Sequence, residues 1–163
     1  MYKLTKENQS VIRKSDNACI PLAPGNRDYT EYLEWLDGGG VPEPAQSVAE
    51  VQVEVLSKLV EEKRKIKSEG LLIDGVLFDT DEYSRLAYME LMFKFIMNPA
   101  YVVNDWKASE GVWITMNKSI FDKLMTAWEL KMTSLFTFVK MKEIEVKSKE
   151  TIEDLKAVNV KKA

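Results

Sequence analysis

The 163-residue chain contains no histidine and a single cysteine, Cys19. Without imidazole there is no Ser-His or Cys-His nucleophile pair, no histidine-bearing zinc site and no side chain that ordinarily titrates near neutrality. An enzyme built on this chain would have to work with carboxylates or lysine. One thiol cannot close an intramolecular disulfide, which fits a reducing compartment. Beside Ile20-Pro21, Cys19 is expected as a buried structural thiol rather than a nucleophile. A basic excess is also missing. The 23 Lys and Arg face 26 Asp and Glu, and the formal charge of -3 gives no electrostatic drive toward nucleic acid or an anionic membrane. The longest apolar-rich run, Leu86 to Met97, is too short to span a bilayer and carries Glu90 and Lys94. MYKLTKENQS has no apolar h-region, so a cytosolic protein is expected.

What is present is globular. With 45% hydrophobic and 30% charged residues, the chain can bury a sizeable core as one domain or as a small module plus a larger one. Tyr2 to Thr5, Ser10 to Lys14 and Ala18 to Leu22 alternate like strands around KEN and SDN turns and predict a small antiparallel meander. Pro24-Gly25 breaks the chain, and Asn26 can cap a helix from about Arg27 to Asp37, with Gly38 as the left-handed residue after it. Tyr29, Tyr32, Leu33 and Leu36 form one stripe on that helix, with Trp35 at its edge. The stripe packs either on the meander or on a partner. Gly38 to Gly40 with Pro42 and Pro44 reads as a linker, so the domains are expected at 1-44 and 45-163.

In the larger part, Ser47 and Glu50 form a capping box opening a helix to about Glu69, whose EEKRKIK half is expected to project into solvent. Asp74-Gly75 between apolar runs marks a hairpin. Asp79 to Glu82 supply the cap of a helix from Asp81 to Met97. Tyr101 to Trp106 and Val112 to Met116, joined by KASEG, predict a second hairpin, followed by a helix to about Lys147. In that helix Phe121, Met125, Trp128, Met132, Leu135 and Val139 make a heptad seam, and Thr151 opens a short last helix. The fold class is therefore α+β: a small N-terminal meander plus helix, a linker, then a helix-rich domain with two β-hairpins and long packed helices.

Candidate chemistry is sparse. Asp74, Asp79, Asp81 and Glu82 are dense, but their spacing matches no metal loop and is better explained by the hairpin turn and helix cap. Gly38 to Gly40 is no phosphate loop, since no strand leads in and no Gly-Lys-Ser/Thr follows. The run Glu61 to Lys67 interleaves both signs and reads as a solvated helix face. No metal or cofactor site is indicated. The excess is apolar: LAYMELMFKFIM is hydrophobic almost all round its helix, and Leu124, Leu130, Phe138 and Met141 lie outside the heptad seam. Such helices are either covered by their own domain or used at an interface. Eight methionines and four tryptophans favour adaptable contact.

The stretch VIRKSDNACIPLAPGNRDYTEYLEWLDGGGVPEP resembles an N-terminal pattern of bacteriophage tail-fibre-associated and tail-fibre assembly proteins: short strands, an Ile-Pro step, Asn-Arg-Asp-Tyr, a Tyr-Leu-x-Trp-Leu helix, then Gly and Pro-Glu-Pro. From KRKIKSEGLLIDGVLFDTDEYSRLAYM through NDWKASEGVWITMN to TIEDLKAV, the chain looks like a phage domain that follows such an N-terminus. The Met- and Phe-rich middle helix and lysine-rich end depart from it. The resemblance implies a non-enzymatic, chaperone-like protein that binds a tail fibre or other tail protein in the host cytoplasm, or a structural component of the virion tail, fibre or baseplate. Implied partners are tail proteins and copies of the chain itself, with no nucleic acid, membrane or small-molecule substrate. Tyr29, Tyr32, Trp35, Leu36, Phe138 and Met141 are the expected contacts. An enzyme acting on cell-wall glycan ranks lower, because no acid pair stands clear of caps and charged faces.

Overall fold

The computed structural model describes residues 1–162. Among them are five helices and seven strands in an α+β arrangement. The described residues form two compact units, one of residues 1–53 with 150–156 and the other of 54–149 with 157–162. The first therefore contains the segment 1–44 read as a module.

In the first unit, β1 (Tyr2–Leu4), β2 (Ser10–Arg13) and β3 (Ala18–Pro21) pair antiparallel in sequence order. The register sets Leu4 opposite Val11 and Val11 opposite Ile20, so one face carries the apolar side chains. Cys19 pairs with Ile12 on the other face and is exposed, its Sγ 3.4 Å from Ser10 Oγ. The buried thiol expected there is thus corrected by strand phase: one residue decides which side of the sheet is reached, and Ile20 takes the inner place. Helix α1 (Arg27–Asp37) starts at Asn26, whose Oδ1 accepts from the N–H groups of Asp28 and Tyr29. Arg13 spans sheet and helix, donating to Asp16, Asp28 and Glu31.

The glycines after α1 close the helix rather than loosen the chain. Gly39 N–H donates to Leu36 O and Gly40 N–H to Trp35 O, both at 2.9 Å, and Gly39 has φ +87°. The left-handed residue is Gly39, not Gly38, whose φ is -72°. Pro42-Glu43-Pro44 is likewise not a free tether. Glu43, with an amide free between two prolines, donates to Tyr2 O at 2.8 Å and accepts from Leu4 N–H at 2.9 Å, alongside β1.

Helix α2 (Val48–Ser68) opens with the Ser47–Glu50 box: Ser47 N–H donates to Glu50 Oε2 and Glu50 N–H to Ser47 Oγ. Its C-terminal half does not project into solvent as expected. Ile66 is buried and Lys67 O accepts from Thr80 Oγ1 at 2.7 Å, while the charges occupy the outer side. In the second unit, β4 (Leu71–Ile73) and β5 (Val76–Phe78) form a hairpin. Asp74 and Gly75 have φ of 51° and 83°, the two left-handed residues such a turn needs. Asp81 Oδ1 accepts from Ser84 N–H at the start of α3 (Glu82–Met97).

The second hairpin pairs β6 (Val102–Ser109) with β7 (Val112–Asn117). KAS belongs to the first strand and the turn is Glu110-Gly111, because Ala108 and Ser109 are buried and cannot serve as a solvent loop. Asn117 then caps α4 (Lys118–Ser148), and Thr151 caps α5 (Ile152–Ala157). The core of this unit gathers Phe78, Tyr88, Leu91, Phe95, Met116, Phe121 and Leu124 from α3, α4 and the hairpins.

Candidate interaction surface

The aromatic stripe of α1 lies on the meander. Tyr32 is 6% exposed and joins Tyr2, Val11 and Ile20 in one core, with Tyr29, Trp35 and Leu36 half-buried around it. Tyr2 meets Tyr32 edge-on and Trp35 at a tilt, each with ring centroids 5.0 Å apart. Burial raises the Tyr32 phenol above its ordinary pKa. Tyr32 is thus unavailable to a partner while the unit is folded, which corrects the contact expected of it: the meander supplies an apolar face of matching size, and the helix covers it.

Apolar surface without an internal partner lies on α3 and α4. Tyr88, Leu91 and Phe95 face the core of the second unit. On the opposite side, Leu86, Met89, Phe93, Ile96 and Met97 are 54%, 55%, 60%, 66% and 85% exposed. At about 100° per residue these five fall within roughly a quarter-turn, a second apolar row nearly opposite the first. At its foot Asp81 and Asp79 hold structural positions, Asp81 through its side chain and Asp79 through its backbone. The Ser84 amide holds the Asp81 carboxyl below the usual carboxylate range, and Asp79 has its carbonyl bonded to Tyr88 Oη at 2.8 Å and its N–H to Ala108 O. Burial raises the Tyr88 phenol.

Along one flank of this row runs a groove of about 310 Å³ between α3 and α4. Its walls are Leu71, Tyr88, Met89, Met92, Met125 and Trp128, with Arg85 across Trp128 at 5.7 Å from the ring centroid. Arg85 Nη1 is anchored to Thr80 O at 2.8 Å. Along the other flank stand the exposed Glu90 and Lys94.

Helix α4 also has two sides. Of the heptad seam, Phe121 and Leu135 are buried and Met125, Trp128, Met132 and Val139 half-buried; Leu124 and Val146 are buried with them. The outer side carries Leu130, Met141 and Ile144, 68%, 66% and 59% exposed, while Phe138 is half-buried at its margin. Met141 therefore stands where a partner can reach it. Lys131 turns inward, its Nζ donating to Gly70 O at 3.0 Å, and burial lowers its pKa.

The chain matches no family model, no curated protein and no solved structure. Its surface chemistry must be read on its own. No group of three or more Cys, Asp or Glu is placed to hold a metal ion among the described residues, and none of their helices is long and apolar enough to cross a membrane. The five residues of the outer α3 row were not singled out from the sequence individually. Their signal is the absence of any polar side in LAYMELMFKFIM: a helix with a single covered face needs only half of those apolar positions.

Proposed function

We propose that the chain is a non-enzymatic bacteriophage tail-fibre assembly protein that binds a fibre or other tail protein through apolar helix surfaces. One observation carries the reading: α3 and α4 each hold a row of large apolar side chains in solvent, although both already supply the core of their own unit. Exposed apolar side chains gathered in rows mark interaction sites, and methionines among them suit a partner whose surface is re-packed during assembly. The resemblance of the N-terminal stretch to tail-fibre-associated proteins supplies the class of partner. On α1, Tyr32 is covered by the meander, while Tyr29, Trp35 and Leu36 beside it remain half-exposed and form a secondary candidate contact. The fibre is assigned to the outer row of α4, with Leu130, Met141 and Ile144 at its centre and Phe138 at its margin.

The test is co-expression with the fibre polypeptide of the same phage, followed by co-purification. L130E/M141E/I144E is expected to fold, since all three side chains are exposed, and to lose the fibre. Retention of the fibre by this variant, or no retention by the wild type, rejects the assignment. Mass spectrometry of purified virions separates an assembly factor, which is missing from the particle, from a structural tail component, which is present.

A further inference from the structure

We propose that the outer row of α3 is the contact between two copies of this chain, their α3 helices packed antiparallel about a two-fold axis level with residues 91 and 92. This goes beyond the tail-fibre reading and stands independently of it, because it uses a different helix.

Size supports it first. Leu86, Met89, Phe93, Ile96 and Met97, each more than half exposed, present on the order of 600 Å² of mostly apolar surface, close to the roughly 800 Å² per partner of a stable interface. The row is about 16 Å long at 1.5 Å per residue, and an axis level with residues 91 and 92 brings its two ends, Leu86 of one copy and Met97 of the other, to the same height. A two-fold contact covers the same patch on both copies, so one apolar row of this length is buried twice.

Charge fixes the direction. Glu90 and Lys94 lie on the same flank of the row, and among the described residues neither side chain has an ion-pair partner. In an antiparallel pair the same flanks of both helices meet. Glu90 of one copy then stands level with Lys94 of the other, twice over by symmetry. A parallel pair puts these flanks on opposite sides and forms neither cross-axis pair, leaving Glu90 and Lys94 only each other one turn apart on the same helix. Shape agrees on the second flank. The same register sets Ile96 of one copy at the level of residue 87 of the other, over the mouth of the groove between Arg85, Met89 and Met92, so an apolar side chain enters an apolar recess.

Sedimentation velocity of the full chain over a concentration series tests this. The wild type is expected to pass from monomer to dimer with a Kd of roughly micromolar order, and F93E to raise that Kd at least about tenfold. E90K alone and K94E alone are each expected to weaken the dimer, since each sets like charges across the axis. An equimolar mixture of the two is expected to restore it, because both cross-axis pairs become opposite in sign again. Circular dichroism of every variant separates lost association from lost helix. A wild type that stays monomeric at about 100 µM, roughly a hundred times such a Kd, overturns the proposal, as does an F93E variant that dimerises unchanged. If the mixture fails to restore what both single variants lose, the antiparallel geometry is wrong. A monomeric wild type whose F93E variant loses the fibre instead gives the α3 row to the fibre and also overturns self-association.

Discussion

At the scale of single residues, the places where the backbone must bend are fixed by amino-acid type and were legible. Asn26 caps the helix expected of it, one of the four residues Asp79 to Glu82, Asp81, caps α3, Asn117 caps α4, and Asp74-Gly75 makes its turn. In each case one side-chain oxygen or one left-handed residue decides the local geometry. What a residue touches across space is not written in its neighbours in sequence. Gly40 read as part of a flexible linker, yet a Cβ there would lie 2.3 Å from the Trp35 ring. The indole packs directly on the Gly40 backbone, and the glycine is required for that approach. G40A is therefore expected to lower the stability of the first unit by about 1–3 kcal/mol, the usual cost of overpacking. Urea denaturation followed by tryptophan fluorescence reads it, and an unchanged midpoint would mean that the ring simply moves aside. Cys19 stands outside for a related reason: in a four-residue strand, one position of phase exchanges inside for outside.

At the scale of elements, type and order followed from periodicity, and error gathered at strand ends and in faces. β6 continues through Lys107, Ala108 and Ser109, where a loop was expected, because tertiary burial outweighs the turn propensity of Ser-Glu-Gly. The charged half of α2 is docked through Ile66 and Lys67 O because one buried isoleucine and one carbonyl suffice to hold a helix whose other sides are solvated. Faces matter most in α4, where apolar residues occur on both sides. Leu135 and Leu130 are the same residue five positions apart in one helix, but Leu135 is fully buried and Leu130 is 68% exposed. L135A is expected to cost about 2–5 kcal/mol through lost burial and the cavity left behind. L130A is expected to stay within about 0.5 kcal/mol in the monomer. Paired urea titrations check both, and a large loss for L130A would place that side chain inside rather than on a binding row.

At the scale of the whole molecule, the apolar surplus was legible as an amount but not as a location. A helix that is apolar all round says only that one face is covered and another is not; which is which depends on neighbours set by the rest of the chain. Tyr32 of α1 is buried against the meander, while the second row of α3 stands in solvent, although the contacts expected from the sequence fall on α1 and α4 and none on α3.

Charge, by contrast, acts on stability through a few groups held at helix starts and in the core, and this sets how the fold responds to pH. Glu50 is held below the usual carboxylate range by the Ser47 N–H and hydroxyl, and Asp81 by the Ser84 N–H. A depressed folded-state pKa contributes stability that is present above the unfolded value of roughly 4 and is lost as pH falls through the folded value. Tyr32 and Tyr88 are raised, by burial above all. Their contribution is complete below the unfolded value of about 10 and is lost as pH rises toward the folded one. With no histidine in the chain, no imidazole titrates in between; Lys131, lowered by burial, acts in the opposite sense to the phenols, because the folded state sheds its proton first as pH rises. Stability is therefore expected to be nearly flat from about pH 5 to 9 and to fall on both sides. The alkaline limb can be traced to one residue. Y88F deletes the ionising phenol and also the hydroxyl bond to Asp79 O; it is expected to cost about 1 kcal/mol at pH 7 while making the loss above pH 10 shallower. Urea midpoints of both proteins at matched ionic strength from pH 7 to 11 decide it. Parallel curves would show that the core phenol does not ionise before the fold opens elsewhere.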